Sequence, residues 1–276
     1  MKIEGVIVCI NYSDFLKVTL PNNRTLFDKL VIVTDTKDTE THKTCEFYNV
    51  ECIITDIFYK DSNIPNKALG INEGLKSLSM SGWVVHLDAD IWLPPMTRNI
   101  LENLPLKESI IYGIDRMMCN SYKEWHQFIS LKQTQGIHEG WIYLHLHHFP
   151  IGQRIVQYHG DGYMPIGYFQ LWNPSKSNIK SYPINVCGFD RTDVEHLKQF
   201  KRQNRGFIPE LVCIHLASEK HDMGQNWRGR TTKSFLPDYD LTWYTKIVKY
   251  LNRILKKSSV FLLRLFRIIK KLNYKK

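Results

Sequence analysis

Gly82-Trp83-Val84-Val85-His86-Leu87-Asp88-Ala89-Asp90-Ile91-Trp92-Leu93-Pro94-Pro95 is an apolar run that leads straight into two carboxylates and stops at a double proline. Trp83, Val84, Val85 and Leu87 show little polar alternation, the pattern of a strand buried on both faces of an α/β sheet. In an extended segment residues two apart point the same way, so Asp88 and Asp90 can converge on one hard cation while Ala89 faces back. A divalent ion held by one or two carboxylates, with phosphate oxygens in its other positions, is a common arrangement. The spacing alone is weak evidence, because 15 aspartates in 276 positions give about one Asp-x-Asp by chance, and a second occurs at Asp238-Tyr239-Asp240. Context separates the two. Only Asp88 and Asp90 follow a buried strand, and open α/β sheets bind ligands beyond the carboxyl ends of their strands.

Working outward, three more strand candidates precede this one: Gly5 to Ile10, Lys29 to Thr34 and Val50 to Thr55. Between the third and the fourth, Asn66 to Met80 has helical spacing, with Ala68, Leu69, Ile71, Leu75 and Leu78 available for one face. Strands separated by such segments imply βαβ units, right-handed crossovers and a mostly parallel sheet. Residues 1–100 therefore read as a nucleotide-binding half and 101–236 as the second half of the same domain. Residues 101–165 are rich in aromatics and histidine, and their mixed periodicity supports no assignment. Gly167 to Trp172 reads as a strand. Gly188 to Phe200 reads as a loop entering a helix, with Thr192 or Asp193 as N-cap, and Leu211 to Ile214 as a strand ending at His215.

Hydrophobic residues make up 43% of the chain and charged ones 23%, values of an ordinary globular protein. Six scattered cysteines without a Cys-x-x-Cys pair read as buried thiols in a reducing compartment. The N-terminus enters a strand without the basic leader of a secretion signal, which leads to the expectation of a cytoplasmic protein. The basic charge is local: residues 246–276 hold 11 Lys/Arg and no acid, leaving 26 of the 37 basic residues to face all 27 acidic ones. Tyr244, Ile247, Val248, Leu251, Ile254 and Leu255 recur at helical spacing among lysines and arginines. This basic amphipathic tail, 237–276, is too charged to span a bilayer, and residues 243–276 suit the anionic surface of a membrane, peripherally on its inner face. A near-neutral body argues against nucleic acid as a partner, although a nucleic-acid-binding protein acting through the tail is the first rival. His145, His147 and His148 lack a second ligand pair and are weak evidence for zinc. The absence of GxxxxGK and of GxGxxG after the first strand argues against P-loop and dinucleotide chemistry.

Six segments in order resemble the GT-A-fold glycosyltransferases, specifically the inverting family-two type whose C-terminal half is similar to β-1,4-galactosyltransferases. They are Leu30 to Asp35 with Thr39-Glu40-Thr41; Asn66-Lys67 opening its helix; Leu87 to Pro94; Gly167 to Leu171; Asp193-Val194-Glu195; and His215-Leu216 followed by Asn226 to Arg230. The resemblance implies an α/β GT-A fold, a mostly parallel central sheet flanked by helices, plus the C-terminal helix. It also implies transfer of a sugar from a UDP-sugar donor to a hydroxyl of a glycan or lipid-linked acceptor. Asp88 and Asp90 take the metal-diphosphate role, and His215, or failing it His221, is the third ligand. An imidazole tilts the metal toward Mn²⁺ over Mg²⁺. The matching acidic cluster gives Asp193 as the base, with Glu195 as the other candidate; here Val194 separates acids that are consecutive in the galactosyltransferases, and Asp190 lies just upstream. For the donor, Asn11, Tyr12, Asp35, Lys67, Arg116 and Trp227 are the candidates, and Trp227 and Trp172 could stack on a sugar. A second rival is a fold of this kind that binds a nucleotide sugar but does not transfer it.

Overall fold

The computed structural model describes residues 1–60, 65–119, 121–134, 163–185, 191–216 and 235–236. The basic tail, Trp227, His221, Asp190 and the 145–148 histidines lie outside the described residues. Among the described residues no helix is long and apolar enough to cross a membrane.

Four strands form one parallel block of the sheet: β1 (Ile3–Val8), β2 (Lys29–Thr34), β3 (Glu51–Ile54) and β4 (Trp83–Leu87). Their residues alternate between two cores as the period-two rule requires. Ile3, Ile7, Leu30, Ile32, Val85 and Leu87 enter one core, whereas Val6, Val8, Val31, Val33 and Val84 enter the other. Helix α1 (Ser13–Asn23) covers the first face with Leu16 and Leu20; α3 (Lys67–Lys76) covers the second with Ala68, Ile71 and Leu75. Helix α2 (Thr39–Phe47) joins the β2–β3 crossover, and α4 (Thr97–Asn103) follows the double proline. The helix expected from Asn66 starts one residue later because Asn66 is its cap, the Oδ1 accepting from the Ala68 amide at 3.0 Å.

Among the described residues, the second half completes an eight-stranded sheet in the order β3-β2-β1-β4-β7-β6-β8-β5. Its strands are β5 (Ile91–Trp92), β6 (Ile111–Cys119), β7 (Phe169–Trp172) and β8 (Arg205–Leu216). Strand β7 runs antiparallel to β4 and to β6, while β6 and β8 are parallel. The fold is α/β, as expected, with helices flanking a central sheet in which parallel pairings outnumber antiparallel ones among the described residues. Helices α5 (Tyr122–Thr134), α6 (Pro174–Ser177) and α7 (Thr192–Lys198) belong to this half.

Three local expectations are corrected. Strand β6 and helix α5 occupy a stretch that sequence periodicity left blank, since β6 is buried on both faces and shows no alternation. Strand β8 is longer than Leu211 to Ile214, with a register shift between Ile114 and Asp115 that passes over Pro209, a residue that cannot donate to a ladder. The N-cap of α7 is Arg191, in the left-handed region at φ 64°, so Thr192 and Asp193 lie inside the first turn.

Candidate active site

Asp88 follows the last residue of β4 and shares a face with His86 and Val84, the face covered by α3. Lys67 opens α3, where a cation opposes the helix dipole, and its Nζ reaches Asp88 Oδ1 at 2.5 Å. Asp88 retains 28% of its side-chain exposure and Lys67 12%. The ion pair thus sits at an opening of the fold rather than deep in the core. Burial raises the Asp88 carboxyl above its ordinary value; Lys67 opposes that push and neighbouring Asp90 adds to it.

Asp90 is brought to β8 by the short β5 pairing, Ile91 opposite His215, and by the Leu216 amide donating to the Asp90 carbonyl at 2.8 Å. His215 Nε2 lies 3.3 Å from Asp90 Oδ2, and Arg116 Nη1 donates to His215 Nδ1 at 2.9 Å. A guanidinium only donates, so Nδ1 is the acceptor and the ring proton lies on Nε2, facing Asp90. Arg116 also lies over the Tyr168 ring, 4.5 Å from its centroid, a cation–π contact. Burial works against ionisation of Asp90, but the pull of His215 and its hydrogen bond, joined by Lys67, hold that carboxyl below its ordinary value.

The remaining Asp90 oxygen, Oδ1, is buried without a hydrogen-bond partner. An unpaired buried carboxylate oxygen is costly, and a hard cation is the partner that best offsets it. On that ground the pair fits a divalent ion. The expected third ligand is not gathered with it: among the described residues no group of three His, Cys, Asp or Glu side chains is placed to hold a metal. Ligation through His215 Nε2 requires its proton to leave and Arg116 to give up Nδ1.

Asp193 lies in the first turn of α7, half-buried, with Oδ2 accepting from the Gly167 amide at 2.6 Å. The next residue, Tyr168, accepts from the Asp88 amide through its carbonyl at 3.2 Å. Asp193 and Asp88 are therefore joined through two consecutive residues at the start of β7. Glu195, one turn position on, is paired with Lys198 at 2.5 Å and Arg191 at 3.4 Å on the surface of its own helix.

On the far side, Asp35 is already engaged: Oδ1 accepts from the amides of Lys37 and Asp38, both at 2.9 Å, and Oδ2 from the Tyr59 hydroxyl at 3.0 Å. It shapes the β2–α2 turn. Asp38, which sequence reasoning passed over, caps α2 and accepts from the Asn11 amide at 2.7 Å, fixing the loop after β1 with Asn11 in the left-handed region at φ 60°. Asn11 is exposed and Tyr12 half-buried at the tip of that loop. Trp172 is fully buried and packs with Tyr182 and His196, so it is core and no sugar platform. No pattern in the sequence singles out Tyr182, which lies in an irregular stretch, or His86, which is hidden inside an apolar run.

No protein-family model matches the sequence, and no curated protein does. Solved structures are similar in outline. Mannosyl-3-phosphoglycerate synthase from Rubrobacter xylanophilus shares 11% identity over 94% of this chain and 75% of that one, with a TM-score of 0.45. Glucosyl-3-phosphoglycerate synthase from Mycobacterium tuberculosis, in complex with Mn²⁺, UDP and phosphoglyceric acid, shares 12% over 78% and 70%, with a TM-score of 0.44. A mycobacterial protein shares 14% over 79% of this chain, which spans 65% of that protein, with a TM-score of 0.39.

Proposed function

We propose that the chain is a glycosyltransferase that moves a sugar from a UDP donor to a hydroxyl of a glycan or lipid-linked oligosaccharide, with inversion and with Asp193 as base. One observation carries this: the Lys67–Asp88 pair, the Asp90–His215–Arg116 array and Asp193 are drawn together at one end of the sheet by the β4–β7 and β5–β8 pairings. Cations, carboxylates and a candidate base are the groups such a transfer needs.

Lys67 and Arg116 supply positive charge for a diphosphate, and Asp88 and Asp90 are the residues that would hold a divalent cation, Mn²⁺ or Mg²⁺. When bound, that ion neutralises charge on the departing diphosphate. The Gly167 amide holds one oxygen of Asp193, and the other takes the proton of the acceptor hydroxyl as its oxygen attacks the anomeric carbon. The bond from that carbon to the diphosphate breaks on the opposite face, and UDP leaves. Glu195 is drawn away by Lys198 and Arg191, which favours Asp193 for this role. Residues 243–276, by their sequence pattern, would hold the enzyme against an anionic membrane where a lipid-linked acceptor resides; flotation with anionic liposomes, lost on their deletion, tests this.

The decisive experiment is calorimetric titration with UDP and a panel of UDP-sugars, in Mn²⁺ and then in EDTA. Metal-dependent binding that prefers one sugar is the expected outcome. Absence of binding in both conditions overturns the proposal, and salt-sensitive binding of nucleic acid through the tail would replace it.

A further inference from the structure

Where β7 and α7 meet β4, a set of buried polar and aromatic side chains lies outside the chemistry described above. Gln170 is fully buried, opposite His86 in the β4–β7 ladder, and its carboxamide makes three hydrogen bonds. Nε2 donates to the carbonyls of Pro165 at 2.8 Å and Asp193 at 3.2 Å, and Oε1 accepts from the Tyr182 hydroxyl at 2.6 Å. Tyr182 lies flat on His196 of α7, ring centroids 3.7 Å apart and planes at 8°, and meets His86 edge-on at 5.4 Å. Its backbone is clamped from α3 in both directions: the amide donates to Asn72 Oδ1 at 2.7 Å and the carbonyl accepts from Asn72 Nδ2 at 2.9 Å.

Tyr182 and its partners thus contact α3, which carries Lys67; β4, which leads to Asp88; and α7, which carries Asp193. Burial holds the Tyr182 phenol well above its ordinary value, and both Asp193 and Asp88 add to that push. An apolar core would fill this volume at lower desolvation cost. A buried carboxamide and phenol are tolerated only when their directional bonds are made, and directional bonds fix position where apolar contacts merely fill space.

We propose that Gln170 and Tyr182 are positioning residues that set Asp193 against Asp88, an inference that builds on the assignment of Asp193 as base. Gln170 fixes the Asp193 main chain, the Gly167 amide donates to its carboxylate at close range, and Tyr182 ties both to the donor-side helix and strand.

The Gly167 amide reports directly on whether Asp193 is in place, because that carboxylate is its acceptor. Its hydrogen exchange is measured by NMR in the full chain for the wild type, Tyr182→Phe and Gln170→Leu, with Leu101→Ala on the buried face of α4 as a control for lost stability. Exchange at Gly167 should quicken at least tenfold in both site variants and stay within twofold in the control. Calorimetric affinity for UDP with Mn²⁺ should stay within threefold, while kcat falls at least tenfold at unchanged donor KM. Should Gln170→Leu fail to fold, Tyr182→Phe, which removes one oxygen, carries the test alone. Gly167 exchange within twofold of wild type in the folded site variants overturns the proposal. Asp193→Asn separates the two claims: near-normal turnover in that variant ends the assignment of the base and leaves the exchange result standing by itself.

Discussion

Gly167→Ala probes the closest approach in the candidate site. A Cβ at this position would lie 2.5 Å from Asp193 Cβ, 3.0 Å from Cγ and 3.1 Å from Oδ2. Carbon atoms rest at about 3.5–4.0 Å, so the two segments must part by about 1 Å. Asp193 cannot simply rotate away, because the nearest atom is its own Cβ and its carbonyl is bonded to Gln170. The helix start must therefore move and carry the carboxylate with it. Overpacking of this kind costs about 1–3 kcal/mol, offset in part by the roughly 0.4–1 kcal/mol that alanine gains over glycine from the unfolded chain. A net loss near 1–2 kcal/mol is expected in denaturant unfolding. Misplacement of a reacting group by about 1 Å costs on the order of 100-fold in rate, so kcat should fall by roughly that factor. The UDP–Mn²⁺ affinity should hold, since the diphosphate-side residues are not displaced. UDP release is followed with the donor identified by calorimetry, and affinity is measured in parallel. A kcat within threefold of wild type, with stability unchanged, would refute both the close approach and the role given to Asp193.

Asp90→Asn should reduce metal-dependent UDP affinity by at least about 100-fold, since second-shell losses alone reach 10–100-fold; thermal stability without metal should fall modestly, because His215 and Lys67 hold this carboxyl below its ordinary value and the charged form therefore favours the fold. Affinity as in the wild type would show that Asp90 serves only the turn. Glu4→Gln tests a pH-dependent contribution: burial opposes ionisation of Glu4, yet the Ser79 hydroxyl and amide, the Met80 amide and Lys2 outweigh it and hold the carboxyl below its ordinary 4.5. Since the folded value is depressed, the stability is fully present above the unfolded value and disappears as pH falls through the folded one. Urea unfolding should give a gap of about 2 kcal/mol at pH 7 that closes on the acid side, and a pH-independent gap would refute this. Phe235→Ala should cost about 3–5 kcal/mol, because the ring, 1% exposed, packs on Phe15 and Tyr122 and its amide donates to Asp14 at 2.9 Å. Truncation after Asp240 keeps that anchor and should leave the unfolding midpoint unchanged; a drop would mean that the tail packs on the body.

Much of the first half was legible from local pattern. The runs around Val31, Val84 and Leu87 specify strands by composition, and Asn66 and the Ala68–Leu75 spacing specify a helix; Asp88 to Asp90, expected in extended continuation of the strand, instead form a turn beyond Leu87. The order of these elements, and with it the α/β class, follows from the short-range alternation of strand and helix. The second half resisted because β6, buried on both faces, has the same apolar run a buried helix segment would have, and periodicity does not separate them.

The tertiary structure alone decided which side chains meet. No local rule places Arg116 on His215, 99 positions away, or Asp90 beside that same histidine 125 positions away, or lets Tyr182 bridge α3 and α7. Those contacts depend on the antiparallel insertion of β7 next to β4 and on the pairing of β8 with both β6 and β5. The sequence by itself determined the element types of the first half, the carboxylate pair and the charge of the tail, because these depend on neighbours along the chain. The occupied state of Asp35, the core position of Trp172 and the setting of Asp193 against Gly167 depend on strand pairing across the sheet, and only the folded chain decides them.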